Sequence, residues 1–164
     1  MPGAQTESQD VMDGFECYED ARGFSLLVPI GWEQVVDLRA DTAFVAVEPD
    51  RGAGFRANLV VTIEELPSEL NLIAWQAMAE PMLQRVLGDY LLIDLEHLDD
   101  NPDDPAIRRL MHHVVEESGP ITAEEWSSAR GAMGYTLTCS ISTPAYDSLA
   151  DVLTEVGHSW RLTS

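Results

Sequence analysis

The sequence predicts an α+β fold with a mainly antiparallel sheet and two helices. Three observations carry this expectation. Strand-period alternation appears in both halves, most sharply over Tyr135 to Ser142. Helical period is confined to two segments, Leu72 to Leu87 and Tyr146 to Trp160. Most connections between strand segments are too short for the crossovers that parallel pairing requires.

In chain order, the strand candidates begin with Phe24 to Val28, Trp32 to Val36 and Ala43 to Glu48, apolar runs bounded by turn residues. Over Asn58 to Glu64, Leu59, Val61 and Ile63 alternate with Asn58, Thr62 and Glu64, as one apolar sheet face requires, while Val60 interrupts the polar row. Leu72 to Leu87 reads as a helix with Asn71 or Ser68 as cap and Gly88 as terminator; Pro81 removes a backbone donor and is expected to kink or break it. Tyr90 to Glu96, Ile107 to Glu116 and Thr122 to Ser128 are further strands. Along Tyr135 to Ser142, Tyr135, Leu137, Cys139 and Ile141 face one way while Thr136, Thr138, Ser140 and Ser142 face the other. A closing helix places Tyr146, Leu149, Ala150, Leu153, Val156, Gly157 and Trp160 on one stripe, with Thr143 as N-cap and Pro144 at its first position.

A chain of 164 residues is one ordinary domain, read here as an acidic arm over residues 1–13 and a single domain over residues 14–164. It carries 29 Asp and Glu against 9 basic residues, every one of them Arg, for a formal net charge of −20. Without Lys there is no Schiff-base lysine, Walker lysine or Ser-Lys dyad. The negative field opposes nucleic acid and anionic membrane surfaces. Met1 to Asp13 has neither a basic nor an apolar signal region, and no apolar run is long enough for a membrane span, so a cytoplasmic location and no membrane insertion are expected. Cys17 and Cys139 are too few for a disulfide scaffold, and Cys139 reads as a small buried hydrophobe.

Phe24-Ser25-Leu26-Leu27-Val28-Pro29-Ile30-Gly31-Trp32, an apolar strand followed by Pro, x, Gly, Trp, resembles the opening strand of the Mog/PsbP-like superfamily. Leu72 to Leu87 and Tyr90 to Glu96 match its central helix and strand, and Tyr135-Thr136-Leu137-Thr138 through Ser159-Trp160 matches its penultimate strand and final helix. The resemblance spans about Phe15 to Leu162. It implies an α/β/α sandwich around a central, mainly antiparallel sheet. Its members include a Ran-binding nuclear transport factor, the PsbP photosystem subunit, LpqN-type lipoproteins, DcrB-like periplasmic proteins and Eag-type secretion chaperones, most of them adaptors or binding modules. The Arg-only acidic composition points to a bacterial source, away from a Ran-type partner.

Motif by motif, catalytic chemistry finds little support. Gly52-Ala53-Gly54-Phe55-Arg56-Ala57 matches the dinucleotide pattern G-x-G-x-x-A, but a strand follows it where that pattern needs a helix N-terminus, so it reads as a hairpin connection. Arg51, Phe55 and Arg56 there form a small cationic and aromatic cluster, the candidate protein-binding residues; Arg56→Ala is expected to leave stability nearly unchanged. His112 and His113, adjacent on a strand, point to opposite faces and cannot share a metal ion. Asp99, Asp100, Asp103 and Asp104, following His97, read as a solvated loop lacking the EF-hand pattern. Glu64-Glu65, Glu116-Glu117 and Glu124-Glu125 diverge along strands and read as exposed edges and strand ends. Trp32 and Trp126 read as core or rim packing, with a pocket as the alternative. No G-x-S-x-G elbow is present.

The expectation is therefore a non-enzymatic protein-interaction module, an adaptor or secretion-type chaperone in a bacterial cytosol. No cofactor and no metal are expected, and an unknown, basic protein partner is favoured by the charge. The alternative is a small-molecule or lipid-binding protein whose apolar pocket lies between sheet and helices.

Overall fold

The computed structural model describes residues 13–52, 54–67 and 70–164. Strands β1 (Phe15–Asp20), β2 (Phe24–Pro29), β3 (Glu33–Val36), β4 (Thr42–Val47) and β5 (Asn58–Glu65) lead to helix α1 (Leu72–Val86). Strands β6 (Gly88–Leu98), β7 (Ala106–Val115), β8 (Gly119–Arg130) and β9 (Met133–Ser142) follow, then a 3₁₀ turn (Thr143–Ala145), helix α2 (Tyr146–Ser159) and the short β10 (Arg161–Leu162). Apart from Asp13, the arm read over residues 1–13 lies outside the described residues, as do Ala53 of the glycine motif and Ser68, the alternative cap.

Every described ladder is antiparallel. Seven strands form a large sheet in the order β3-β4-β5-β9-β8-β7-β6, and β1-β2-β10 form a small one. The large sheet has two distinct faces because side chains alternate along each strand. On one face Phe44, Leu59, Val61, Leu137, Cys139, Ile141 and Trp126 join Phe24, Leu26 and Val28 of the small sheet and Leu153, Val156 and Trp160 of the last helix in a single core. Helix α1 lies on the other face, over β6, β7 and β8. The expected sandwich is present, with one outer layer shared between α2 and the small sheet.

Both helices approach the sheet through a tryptophan against a glycine. Trp75 of α1 sits on Gly134 of β9, where an added Cβ would lie 2.7 Å from the indole. On the opposite face Gly157 of α2 sits on Trp126 of β8, where a Cβ would lie 2.2 Å from the ring. Only a residue without a side chain allows either approach.

The helix ends differ from expectation in instructive ways. Asn71 caps α1 as expected, its Oδ1 accepting from the Ala74 amide at 2.9 Å. Pro81 does not break the helix, which runs continuously through it. Gly88 is not a left-handed terminator: Leu87 is already extended, Gly88 opens β6, and the positive φ falls on Asp89. Gly88 is needed for another reason, since a Cβ there would come within 2.9 Å of the Val114 carbonyl. Thr143 does not cap the closing helix; its hydroxyl bonds that of Thr122, and with Pro144 it opens a single 3₁₀ turn that precedes α2.

Strand β1 is tied in by an ionic cluster. Asp20, 8% exposed, accepts from Tyr18 Oη at 2.8 Å and from the Arg22 amide, Nε and Nη2 at 2.9, 2.8 and 2.7 Å. Arg22 Nη2 also reaches the Ala43 carbonyl of β4, and Tyr135 of β9 donates to the Arg22 carbonyl at 3.0 Å. These bonds fasten the small sheet's hairpin to the large sheet.

Candidate functional site

The β7–β8 pairing sets the chemistry on both faces of the sheet. Arg108 and Arg109 follow one another on β7, Glu124 and Glu125 on β8, and the register places Arg109 opposite Glu125. Alternation sends one arginine and one glutamate to each face. The expectation that Glu124-Glu125 is an exposed strand end is therefore overturned: Glu124 is 3% exposed, and the Glu125 side chain 15%. Each carboxylate is buried because a guanidinium is buried with it.

On the α2 face, Arg108 Nε donates to Glu124 Oε2 at 3.2 Å and Nη1 donates to Asp94 Oδ2 at 3.3 Å, with Glu96 3.6 Å away. Tyr146 Oη donates to the other Glu124 oxygen at 3.3 Å. Burial and the neighbouring carboxylate push the Tyr146 phenol up. The Arg108 guanidinium carbon lies 5.8 Å from the Trp126 ring centroid, a cation–π separation.

Glu96, Arg108, Glu124 and Trp126 floor a cleft of about 530 Å³ between the end of α2 and strands β6, β7 and β8. Gly157 and His158 form the helix wall, where the imidazole meets the Trp126 ring edge to face at 5.6 Å. Asp100 and Asp104 of the β6–β7 connection form one lip. Arg161 forms the other, its Nη1 already donating to the carbonyls of His158 and Trp160. Four carboxylates, Glu96, Asp100, Asp104 and Glu124, thus line the cleft against two arginines whose charges are partly engaged. Trp126 Nε1, buried, has no hydrogen-bond partner among the described residues.

On the α1 face, Arg109 is 1% exposed and donates to Glu80 at 3.1 Å, to Gln76 Oε1 at 2.8 Å, to Glu125 at 3.1 Å and to the Gln76 carbonyl at 3.2 Å. Burial holds the Glu125 carboxyl above its usual range in spite of Arg109. Above this cluster a shallower groove of about 320 Å³ opens between α1 and β6, lined by Ile73, Ala77, Leu92 and Leu95.

The residues singled out in the sequence are distributed differently. Arg51 is exposed and Phe55 half-buried, in the connection between β4 and β5, which are paired as a hairpin. Arg56 is committed to that connection: Nε and Nη2 donate to the Glu48 carbonyl at 2.9 and 2.7 Å, and Glu33 lies 3.1 Å from Nη2. None of the three lines the cleft. His112 and His113 do face opposite ways, and burial pushes the His113 imidazole pKa down. Trp126 lines the cleft, whereas Trp32 packs against the core. Cys139 is fully buried, and burial pushes its thiol well above the usual range. The aspartate-rich loop, expected to be merely solvated, supplies the cleft's lip.

Ser128 and His158 both line the cleft, yet the Ser128 hydroxyl accepts from Trp160 Nε1 at 3.3 Å and His158 forms its ring contact with Trp126 instead. The ionisable floor groups are likewise occupied with one another. Trp126 and Trp160 border the cleft but are themselves 4% and 3% exposed, so what the arrangement offers for recognition is anchoring charge.

No family model matches the sequence, and no curated protein does. Solved structures do match. Cyanobacterial PsbP (CyanoP) from Synechocystis superposes with a TM-score of 0.73 at 17% identity, covering 97% of this chain and 98% of that one. The fold is Mog/PsbP-like. LpqN, involved in cell envelope biogenesis of Mycobacterium tuberculosis, gives a TM-score of 0.67 at 13% identity, with 86% and 83% of the two chains covered. A protein of unknown function from Pseudomonas aeruginosa gives 0.60 at 11% identity over 85% and 91%. The Mog/PsbP-like landmarks keep structural roles here: Pro29 ends β2, Gly31 takes a positive φ in the turn after it, and Trp160 closes the core beyond α2. No helix among the described residues is long and apolar enough to cross a membrane.

Proposed function

We propose that this Mog/PsbP-like chain is a non-enzymatic protein-interaction module that holds a cationic group of a basic partner in the cleft between α2 and β6–β8. The carrying observation is the excess of carboxylates lining that cleft, with Glu124 anchored beneath Arg108 and Tyr146. A protein of net charge −20 also draws a basic partner toward it, with association faster at low salt. Adaptor or chaperone service to a secreted protein, in a bacterial cytosol, is part of the same proposal. The alternative expected from sequence, a small-molecule or lipid-binding pocket between sheet and helices, fits this cleft less well because its floor is ionic.

Titration with a short oligo-arginine peptide, followed by tryptophan fluorescence, tests this reading. Saturable binding should weaken with salt and fall several-fold in the double variant Asp100→Asn, Asp104→Asn. The control variant Glu116→Gln, Glu117→Gln removes the same charge from the β7–β8 turn, at the far end of the hairpin, and should bind nearly as wild type does. Equal weakening in the two variants would show a diffuse field and defeat the cleft assignment.

A further inference from the structure

Strand β6 closes the large sheet on one side, and its outer backbone edge has no ladder partner among the described residues. Natural edges are usually blunted by irregularity or charge. Here irregularity runs from the start of the strand to its middle, where the register slips between Gly88 and Leu91 and again between Leu92 and Asp94. From Asp94 to Leu98 the pairing with β7 is regular, leaving a straight edge. That edge divides two recesses. Glu96 and Leu98 line the acidic cleft on one face; Leu95 and His97 line the apolar groove on the other.

We infer that an extended segment of a basic partner adds to β6 as a further strand, presenting Arg or Lys to the cleft face and aliphatic side chains to the groove face in strict alternation. The inference rests on the cationic reading of the cleft and adds the partner's conformation and sequence pattern. Backbone pairing to the free edge supplies hydrogen bonds, and pockets for alternate side chains supply selectivity. A strand laid beside Asp94–Leu98 sends every second side chain toward Asp94 and Glu96, and the intervening ones toward Leu95 and the exposed Ile73. Charge decides against a second copy of this chain: pairing β6 with itself would bring Asp94 and Glu96 into the neighbourhood of their own counterparts, which is destabilising on a shared sheet face.

Calorimetric titration with three synthetic peptides of about six residues tests the inference. One alternates Arg and Val, one has the same composition in two blocks, and one alternates but carries N-methyl groups on every second amide, removing the donors that would face the edge. The alternating peptide should bind at least about tenfold more tightly than either of the others. Equal binding of all three overturns strand addition. If that equal binding is weakened by Asp100→Asn, Asp104→Asn, the cationic cleft stands without the strand. No binding by the alternating peptide overturns the inference, and no binding by any of the three removes the cationic reading as well.

Discussion

Arg109 and Glu125 face each other across β7 and β8, and the guanidinium donates from Nη1 to the carboxylate at 3.1 Å in a site where the arginine is almost wholly shielded from water. Gln76 and Glu80 of α1 take three more of its donors, so the helix is fastened to the sheet by polar bonds as well as by apolar contact. Removing one partner of such a pair leaves an uncompensated buried charge. Arg109→Met should therefore cost about 3–5 kcal/mol in urea unfolding, while Arg109→Met combined with Glu125→Leu should cost less than the single change. A double variant that simply adds the two single losses would show that the pair is not coupled.

Gly157→Ala should destabilise the protein, reversing the usual sign for a helical glycine. Alanine in an exposed helix gains about 1 kcal/mol over glycine. At Gly157 the new methyl would lie 2.2 Å from the ring of Trp126, whose backbone is paired on both sides by β7 and β9, so either the ring or the helix must shift. A loss of about 1–3 kcal/mol is expected from overpacking, read as a lowered Tm. An unchanged or raised Tm would mean that α2 slides off Trp126 at little cost.

Acid should loosen the small sheet through Asp20. Hydrogen bonds from Arg22, offset in part by burial, hold its carboxyl down at about 2, against an ordinary 3.8. Because the folded value is depressed, the stabilisation is complete above the unfolded value and disappears as pH falls from about 4 towards 2. Arg22 is itself partly solvated, so the contribution at neutral pH is about 1–2 kcal/mol, less than the shift alone implies. The stability gap between wild type and Asp20→Asn should be widest at neutral pH and narrow between pH 4 and pH 2. A gap independent of pH would assign the stabilisation to packing.

Arg56→Ala should cost about 1 kcal/mol, contrary to the near-neutral effect expected from sequence. Its two bonds to the Glu48 carbonyl close the β4–β5 connection from within, and a carbonyl left without them has only water to turn to. Arg56→Lys should recover little of this, since an ammonium cannot reproduce the paired donors. Full retention of stability in Arg56→Ala would return the arginine to the pool available for recognition.

Elements with one dry face were legible in the sequence. The alternation of Tyr135, Leu137, Cys139 and Ile141 and the stripe of Leu153, Val156 and Trp160 are direct records of burial, and both elements lie where that record puts them. Strand β1 left no such record because Glu16, Glu19 and Asp20 occupy half of it, and it is held by the Asp20–Arg22 cluster and by Tyr18 stacked on Phe44. β10, two residues long, is too short to carry a period. The cleft was hidden for a related reason. A buried glutamate is spelled like an exposed one, and Glu124 is buried only because Arg108 arrives from a strand sixteen residues earlier. The usable signal was the tandem pair Arg108-Arg109 on one strand matched by Glu124-Glu125 on the next, a complementarity that appears once the hairpin register is written out.

The joining of β10 to β2 has a consequence for biosynthesis. A ribosome delivers the Phe24, Leu26 and Val28 row early, yet α2 and β10, which cover and complete it, come after all the other described elements. Until they emerge, that row has β4, β5 and β9 to lie against but lacks Leu153, Val156 and Trp160 of the core, and sticking to other nascent chains is the hazard of the interval.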